Sequence, residues 1–501
     1  FIERSRDQAV YAQALLEGYT ALQANLIARR ITAETMQRHG GVRRAIAPRL
    51  DERQPTDGMP DLQRAAERIV RAIRDREIIG VAVDHDVDGV SSASLIWTAL
   101  VKHFRVPPPR VVVFTTHRLI EGYGLSDAFC NRLLSSPIVP TVLITADQGT
   151  SDEPRIARLK THGIDVICSD HHGVPMDGPP PSAYATVNPM RADSAFDSSV
   201  CGCYVAWVLM EAVGQALVAE GLLTADAAKI DDLVDYVAFA TQADAVDLAN
   251  SRNNRAVAIA GIQRMNHYAR PCWQAFALVS APVEENRLPV NSQTLGFTWG
   301  PQVNARGRLD EAMAGVQCLV AETGESALEF ARMLDAANHE RKGIERQLNE
   351  QAMAIAATHV AARRVGLVVY LPDGNPGVHG IVASRVVEAF GRPTVCLSPK
   401  RGEPGMLTGS ARSIDGLNLR ECFAEVDRVA PGALISWGGH AAAAGLRMNE
   451  SALAEFTEAF DRAVRARVEI TALGPKAWHD GPIPRLGMDD LAQIEALDPF
   501  G

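Results

Sequence analysis

Ile79-Gly80-Val81-Ala82-Val83-Asp84-His85-Asp86-Val87-Asp88-Gly89 is the stretch whose reading decides the fold. Five apolar or small residues run without a polar break and then give way to three aspartates and a glycine. Two more stretches repeat the pattern. Val142-Leu143-Ile144-Thr145-Ala146 precedes Asp147-Gln148-Gly149, and Val166-Ile167-Cys168-Ser169 precedes Asp170-His171-His172-Gly173. The apolar runs at 78–83, 111–114, 141–145, 165–168 and 185–187 alternate with helical stretches, the signature of buried parallel strands in an α/β domain. In an open parallel sheet the ligand crevice lies outside the carboxyl ends of the strands, so the three acidic clusters are expected to converge there. A glycine closes each cluster, as a tight turn into the next helix requires.

Carboxylates gathered without cations repel one another, and two divalent metals would resolve that conflict. Asp84 and Asp86 would each hold one metal, and Asp147 would bridge the two. An imidazole from His171 or His172 would complete a mixed oxygen–nitrogen shell, which suits manganese or magnesium better than zinc. Two metals ~3.5–4 Å apart activate water and stabilise the entering and leaving oxygens of phosphoryl transfer. A single DxDxDG is often only a solvated turn or a calcium-type loop, and a His-His pair is often structural. Three clusters at three successive strand ends argue otherwise. Asp244 follows the helical run 233–240 and sits where a carboxylate would reach the crevice. Asp231 and Asp247 read as surface or capping residues.

The chain has 501 residues, 47% hydrophobic and 22% charged, the balance of an ordinary globular protein of two to four domains. Net charge is −10, which argues against coating nucleic acid by bulk charge but allows a local basic groove. No run approaches the ~18 apolar residues of a membrane span, and no membrane association is expected. The eight cysteines form no CxxC pair, so a disulfide framework or zinc ribbon is not expected and a reducing cytoplasm is the default location.

Residues 1–60 read as an N-terminal helical segment, 61–324 as the domain carrying the acids, and 325–364 as a long connecting helix. The alternative for 325–364 is two helices meeting at Gly343, the single glycine of that stretch. A second, smaller α/β domain occupies 365–470, and 471–501 form an extension. Residues 267–310 give mixed signals and no assignment.

The ordered set Asp84-His85-Asp86-Val87-Asp88-Gly89, Asp147, Asp170-His171-His172 and Asp244 resembles the DHH phosphoesterase superfamily, and within it the RecJ-like single-strand-specific exonucleases. The segments Glu121-Gly122-Tyr123-Gly124-Leu125 and Asn304-Ala305-Arg306-Gly307-Arg308-Leu309 extend the resemblance. So do Gly380-Ile381-Val382-Ala383-Ser384-Arg385, Gly409-Ser410-Ala411-Arg412-Ser413 and Gly438-Gly439-His440, which are similar to the smaller DHH-associated domain. The likeness runs from about residue 30 to the end. It implies a parallel-sheet DHH domain joined by a long helix to a smaller α/β DHH-associated domain. It also implies a two-metal shell (Mn2+ or Mg2+) of Asp84, Asp86, Asp147, His171 and Asp244. Asp88 and His172 would be supports or additional ligands, and Asp170 would orient an imidazole. The second domain would bind nucleic-acid backbone, with Ser384 and Arg385 near a helix start. Arg308 and Arg412 would grip phosphate, and Gly438, Gly439 and His440 would approach it closely.

The implied activity is metal-dependent 5′→3′ exonucleolytic hydrolysis of single-stranded DNA, in preference to RNA, in DNA repair and recombination. Single-strand-binding protein is an implied partner. The alternatives are a DHH hydrolase of short oligonucleotides or cyclic dinucleotides, and a non-catalytic replication scaffold. Some positions depart from the family pattern. His85 stands where an aromatic is usual, Ala146-Asp147-Gln148-Gly149 replaces Val-Asp-Asn-Gly, and Gly374-Asn375 replaces a Trp-His pair. Pro499-Phe500-Gly501 resembles the lead-in to the family's OB-fold, which the 501 residues do not include.

Overall fold

Every residue of Ile79–Val83 (β1) is buried, which is why no polar residue interrupts it. The computed structural model describes residues 1–117, 120–122, 124–281, 289–309, 312–469, 473–482 and 487–500, with Arg308 and Leu309 described only by their backbone. Val111–Thr115 (β2), Val142–Ala146 (β3), Asp165–Ser169 (β4) and Ala185–Val187 (β5) join β1 in a wholly parallel sheet of order β2-β1-β3-β4-β5. Both faces are covered. Val81, Val83, Ile144, Ala146 and Ile167 enter one core, while Ala82, Leu143, Val166 and Cys168 enter the other. Apolar demand on both faces produces continuous hydrophobic strands instead of alternation.

Leu62–Arg74 (α1), Val87–Thr98 (α2) and the 18-residue helix Gly202–Ala219 (α5) line the larger core. Asp127–Leu134 (α3) and Glu153–Thr161 (α4) close the opposite face. Val234–Ala243 (α6) and Arg252–Asn266 (α7) follow. The unassigned stretch 267–310 contains helix Pro271–Ser280, a five-residue π-helical turn Leu295–Trp299 and helix Gly300–Leu309 (α8). Helix α5 corrects one expectation, because it is long and apolar enough by length and composition to cross a membrane. Its apolarity has another cause: Tyr204, Trp207 and Leu209 are fully buried in the protein core.

The chain divides into two compact units, Ser5–Asn338 with Pro482–Gly501, and Phe1–Arg4 with His339–Gly481. These differ from the boundaries at 60 and 470 drawn from sequence. Within the first unit Val10, Ala24, Ile27 and Val42 of the N-terminal helices share a cluster with Leu497 and Ile494. The end of the extension is held on the same unit, where Arg255 of α7 donates to the carbonyls of Leu497 and Pro499, both at 2.9 Å. Helix Gly324–Ala361 (α9) runs 38 residues without a break at Gly343.

In the second unit Leu367–Tyr370 (β6), Thr394–Pro399 (β7), Met406–Arg412 (β8), Leu434–Gly439 (β9) and Ala443–Asn449 (β10) form a mixed sheet, order β9-β10-β8-β7-β6. Only β6 and β7 are parallel. Helix His379–Phe390 (α10) makes the crossover and packs Val382, Ala383 and Val386 against one face. Leu419–Val429 (α11) and Leu453–Arg465 (α12) cover the other, around Phe423, Phe456 and Phe460.

Candidate metal centre

The strand register sets the site. Val83 pairs with Thr115 and with Ala146, Ala146 with Ser169, and Ser169 with Val187. The next residues, Thr116, Asp84, Asp147, Asp170 and Asn188, therefore leave the sheet in one row. Strands β1 and β3 flank the point where strand order reverses, which is where open α/β sheets place their ligands.

Asp86 is the N-cap of α2, and its Oδ1 accepts from the amides of Asp88 (2.9 Å) and Gly89 (3.2 Å). Asp88 turns inward and caps a different helix, accepting from Gly202 (2.6 Å) and Cys203 (2.7 Å) at the start of α5. The approach of α5 is close enough that a Cβ on Gly202 would lie 2.8 Å from the Cβ of Asp147, so only glycine fits there. Asp147 has φ +61°, a left-handed backbone uncommon outside glycine and typical of strained functional positions. Of the three cluster-closing glycines, Gly149 has positive φ, whereas Gly89 lies inside α2. Asp244 is the C-cap of α6. Asp84 accepts from Thr116 Oγ1 (3.3 Å), and His85 Nδ1 lies 2.6 Å from its Oδ1.

Seven of the eight candidate residues, all but Asp170, come together in three overlapping groups. Donor atoms of Asp84, Asp86 and Asp147 lie within 4.8 Å of one another, as do those of Asp88, His171 and Asp244, and those of Asp147, His171 and His172. Asp147 belongs to the first group and to the third. His171 donates from Nδ1 to the Val200 carbonyl (3.0 Å), which turns Nε2 toward Asp147 Oδ1 (3.2 Å), Asp88 Oδ2 (3.6 Å) and Asp244 Oδ2 (3.8 Å). With the Val200 carbonyl taking Nδ1–H, Nε2 faces three carboxylates that repel one another. A cation removes that conflict, and the donor set of oxygens plus one oriented imidazole fits a divalent metal.

Asp170 stands apart from this. Its Oδ1 lies 2.8 Å from His172 Nδ1 and accepts from the His171 and His172 amides (2.8 and 3.2 Å), while Oδ2 accepts from Thr150 N (3.0 Å). Burial, then Asp88, Asp86, Asp84 and Asp244, push the Asp147 carboxyl far above its usual range. Burial and then Asp88 and Asp86 take Asp244 up to about 8. Asp88 is also raised by burial, against the pull of His171. Burial opposes ionisation of Asp170, but the bond from His172 prevails and holds it well below the ordinary value; His172 in turn rises to about 9.

Sequence reading assigned no role to three supports, although Asn304 stands in one of the segments that carry the resemblance. Thr116 and Asn188 show only through the register row. Asn188 donates to Thr150 Oγ1 and to the His172 carbonyl, both at 2.9 Å. Asn304 accepts from the Val87 amide at 2.9 Å.

In the second unit the expected phosphate-binding residues are half-buried or exposed. Ser384 and Arg385 are not at the start of α10, which begins at His379. Ser384 donates back to the Gly380 carbonyl (3.1 Å), and Arg385 pairs with Glu388 (3.0 Å). Arg412 ends β8 with its guanidinium against Gly380, and its Nη1 donates to the Ala411 carbonyl (2.9 Å). Gly438 and Gly439 end β9, and exposed His440 begins the turn that closes on Ala443. The Arg308 side chain and Tyr123 lie outside the described residues.

The parallel-sheet unit carries the carboxylate–histidine centre, the mixed-sheet unit follows it in the chain, and each matches a family domain. Residues 78–241 match the DHH family, N-terminal domain, and residues 365–466 match the DHHA1 domain. The chain is 34% identical to the single-stranded-DNA-specific exonuclease RecJ of Haemophilus influenzae, over 84% of this chain and 72% of that protein. It superposes on RecJ of Thermus thermophilus in complex with Mn2+ (TM-score 0.78, 22% identity, all of this chain and 67% of that one). It also superposes on a manganese-bound exonuclease RecJ (TM-score 0.66, 25% identity, 82% and 96%). The chain belongs to the RecJ family.

Proposed function

We infer that the protein is a metal-dependent hydrolase of phosphodiester bonds in single-stranded DNA, acting as an exonuclease in the 5′→3′ direction. The observation that carries the reading is His171, pinned at Nδ1 and aimed at Asp147, Asp88 and Asp244 beside the pair Asp84–Asp86. Asp84, Asp86, Asp147, His171 and Asp244 would hold two Mn2+ or Mg2+ ions, which when bound supply an activated water and charge neutralisation at the phosphoryl oxygens. The chain's own work is positional. Asp88 joins α2 to α5 behind the centre. Asp170 occupies Nδ1 of His172 and leaves its other nitrogen, on a half-exposed ring, to meet a phosphate oxygen. Arg412, Gly438, Gly439 and His440, with Ser384, Arg385 and Arg308, are assigned to the nucleic-acid backbone.

A repair and recombination role, location in the cytoplasm and cooperation with single-strand-binding protein complete the proposal. The cytoplasmic assignment is supported by eight free, buried cysteines. The test uses end-labelled DNA and RNA of graded length with 5′ or 3′ blocks, in manganese and in magnesium. Stepwise release from unblocked 5′ ends of single-stranded DNA is the expected result. Metal-independent cleavage, or fastest turnover on dinucleotides with stalling on long strands, would overturn the reading.

A further inference from the structure

Asp86 has two tasks. Its Oδ1 caps α2 through the Asp88 and Gly89 amides, while the same carboxylate stands among the donors of Asp84 and Asp147. One amide of this first turn, Val87 N, is left over by the cap. An N1 amide commonly meets water, but Val87 is buried, and a buried unpaired donor is costly. Val87 N instead donates to Asn304 Oδ1 at 2.9 Å, across 217 residues of sequence. One turn further along α8, Gly307 lies so close to the first loop that a Cβ there would stand 2.2 Å from the His85 carbonyl oxygen. Asn304 and Gly307 thus press α8 against the loop that carries Asp84 and Asp86.

We propose that Asn304 is a positioning residue for Asp86: by taking the Val87 amide it spares the second Asp86 oxygen for the metal. Without it, the neighbouring Asp86 carboxylate would be drawn to the buried amide and away from Asp84 and Asp147. This rests on the metal reading above.

The test is Mn2+ binding to metal-free protein, followed by calorimetry and by the electron-paramagnetic-resonance signal of unbound Mn2+. Asn304→Ala should weaken binding roughly 10–100-fold, the usual effect of removing a group behind a ligand, with turnover recovering at high Mn2+. Asn304→Asp keeps an acceptor of the same size and should stay close to the parent protein. Gly307→Ala, which displaces α8 by a different contact, should also weaken binding, and it decides the matter if Asn304→Ala does not fold. A folded Asn304→Ala or Gly307→Ala with parental affinity, or an Asn304→Asp as weak as Asn304→Ala, overturns the inference alone. A parent protein that binds no Mn2+ overturns the metal reading and this inference together.

Discussion

The two units solve opposite problems with similar parts. In the parallel sheet every strand runs the same way, so five strand ends deliver Thr116, Asp84, Asp147, Asp170 and Asn188 to one row. Charge is concentrated, buried and mutually repulsive, and a cation becomes the natural completion. In the mixed sheet β8, β9 and β10 alternate in direction, and the candidate residues lie nearer the surface: Ser384 and Arg412 are half-buried, and Arg385, Gly438, Gly439 and His440 are exposed. Most already have local partners, as Arg385 has Glu388 and Ser384 has the Gly380 carbonyl. Concentrated charge suits bond breaking. Exposed donors suit holding a long, evenly charged backbone.

That contrast fixes the sizes of mutational effects. Asp147→Asn, which tolerates the left-handed backbone, should lower kcat by roughly 10³-fold or more, ~4 kcal/mol at the transition state, with an unchanged circular-dichroism spectrum. Normal turnover by this variant in manganese would remove the distinction between the units. Asp170→Asn loosens the His172 ring and should cost roughly 10–100-fold in activity or metal affinity, read by Mn2+ titration. Arg412→Ala should raise KM for a long strand roughly tenfold with little change in kcat, about 1.4 kcal/mol, the reverse of the first pattern. Arg385→Ala should have the smallest effect, within about threefold in KM, because an exposed ion pair is worth less than ~1 kcal/mol.

The fold was legible because burial on both faces leaves continuous apolar runs, as in Ile79–Val83, and because the acids follow those runs directly. The candidate centre was legible for the same reason. Its supports were not. The Asn304–Val87 bond joins residues 217 positions apart, and Asn188 looks like any loop asparagine until Val187 is paired with Ser169. Glycine spacing placed Ser384 and Arg385 too near a helix start, because α10 already begins at His379 and Gly380 lies within it. The stretch 267–310 stayed unread since its π-helical turn has no 3.6-residue period. Helix α5 was passed over as a membrane-length segment because Glu211 interrupts it.

The path of the chain has a further consequence. Residues 339–481 leave the parallel-sheet unit after Asn338 and the chain rejoins it at Pro482, while Phe1–Arg4 crosses once more before Ser5. The smaller unit is therefore an insertion with covalent attachments at both ends. One proteolytic nick at any single crossing cannot set it free, and deleting it as a cassette would require suturing the wound between positions 338 and 482.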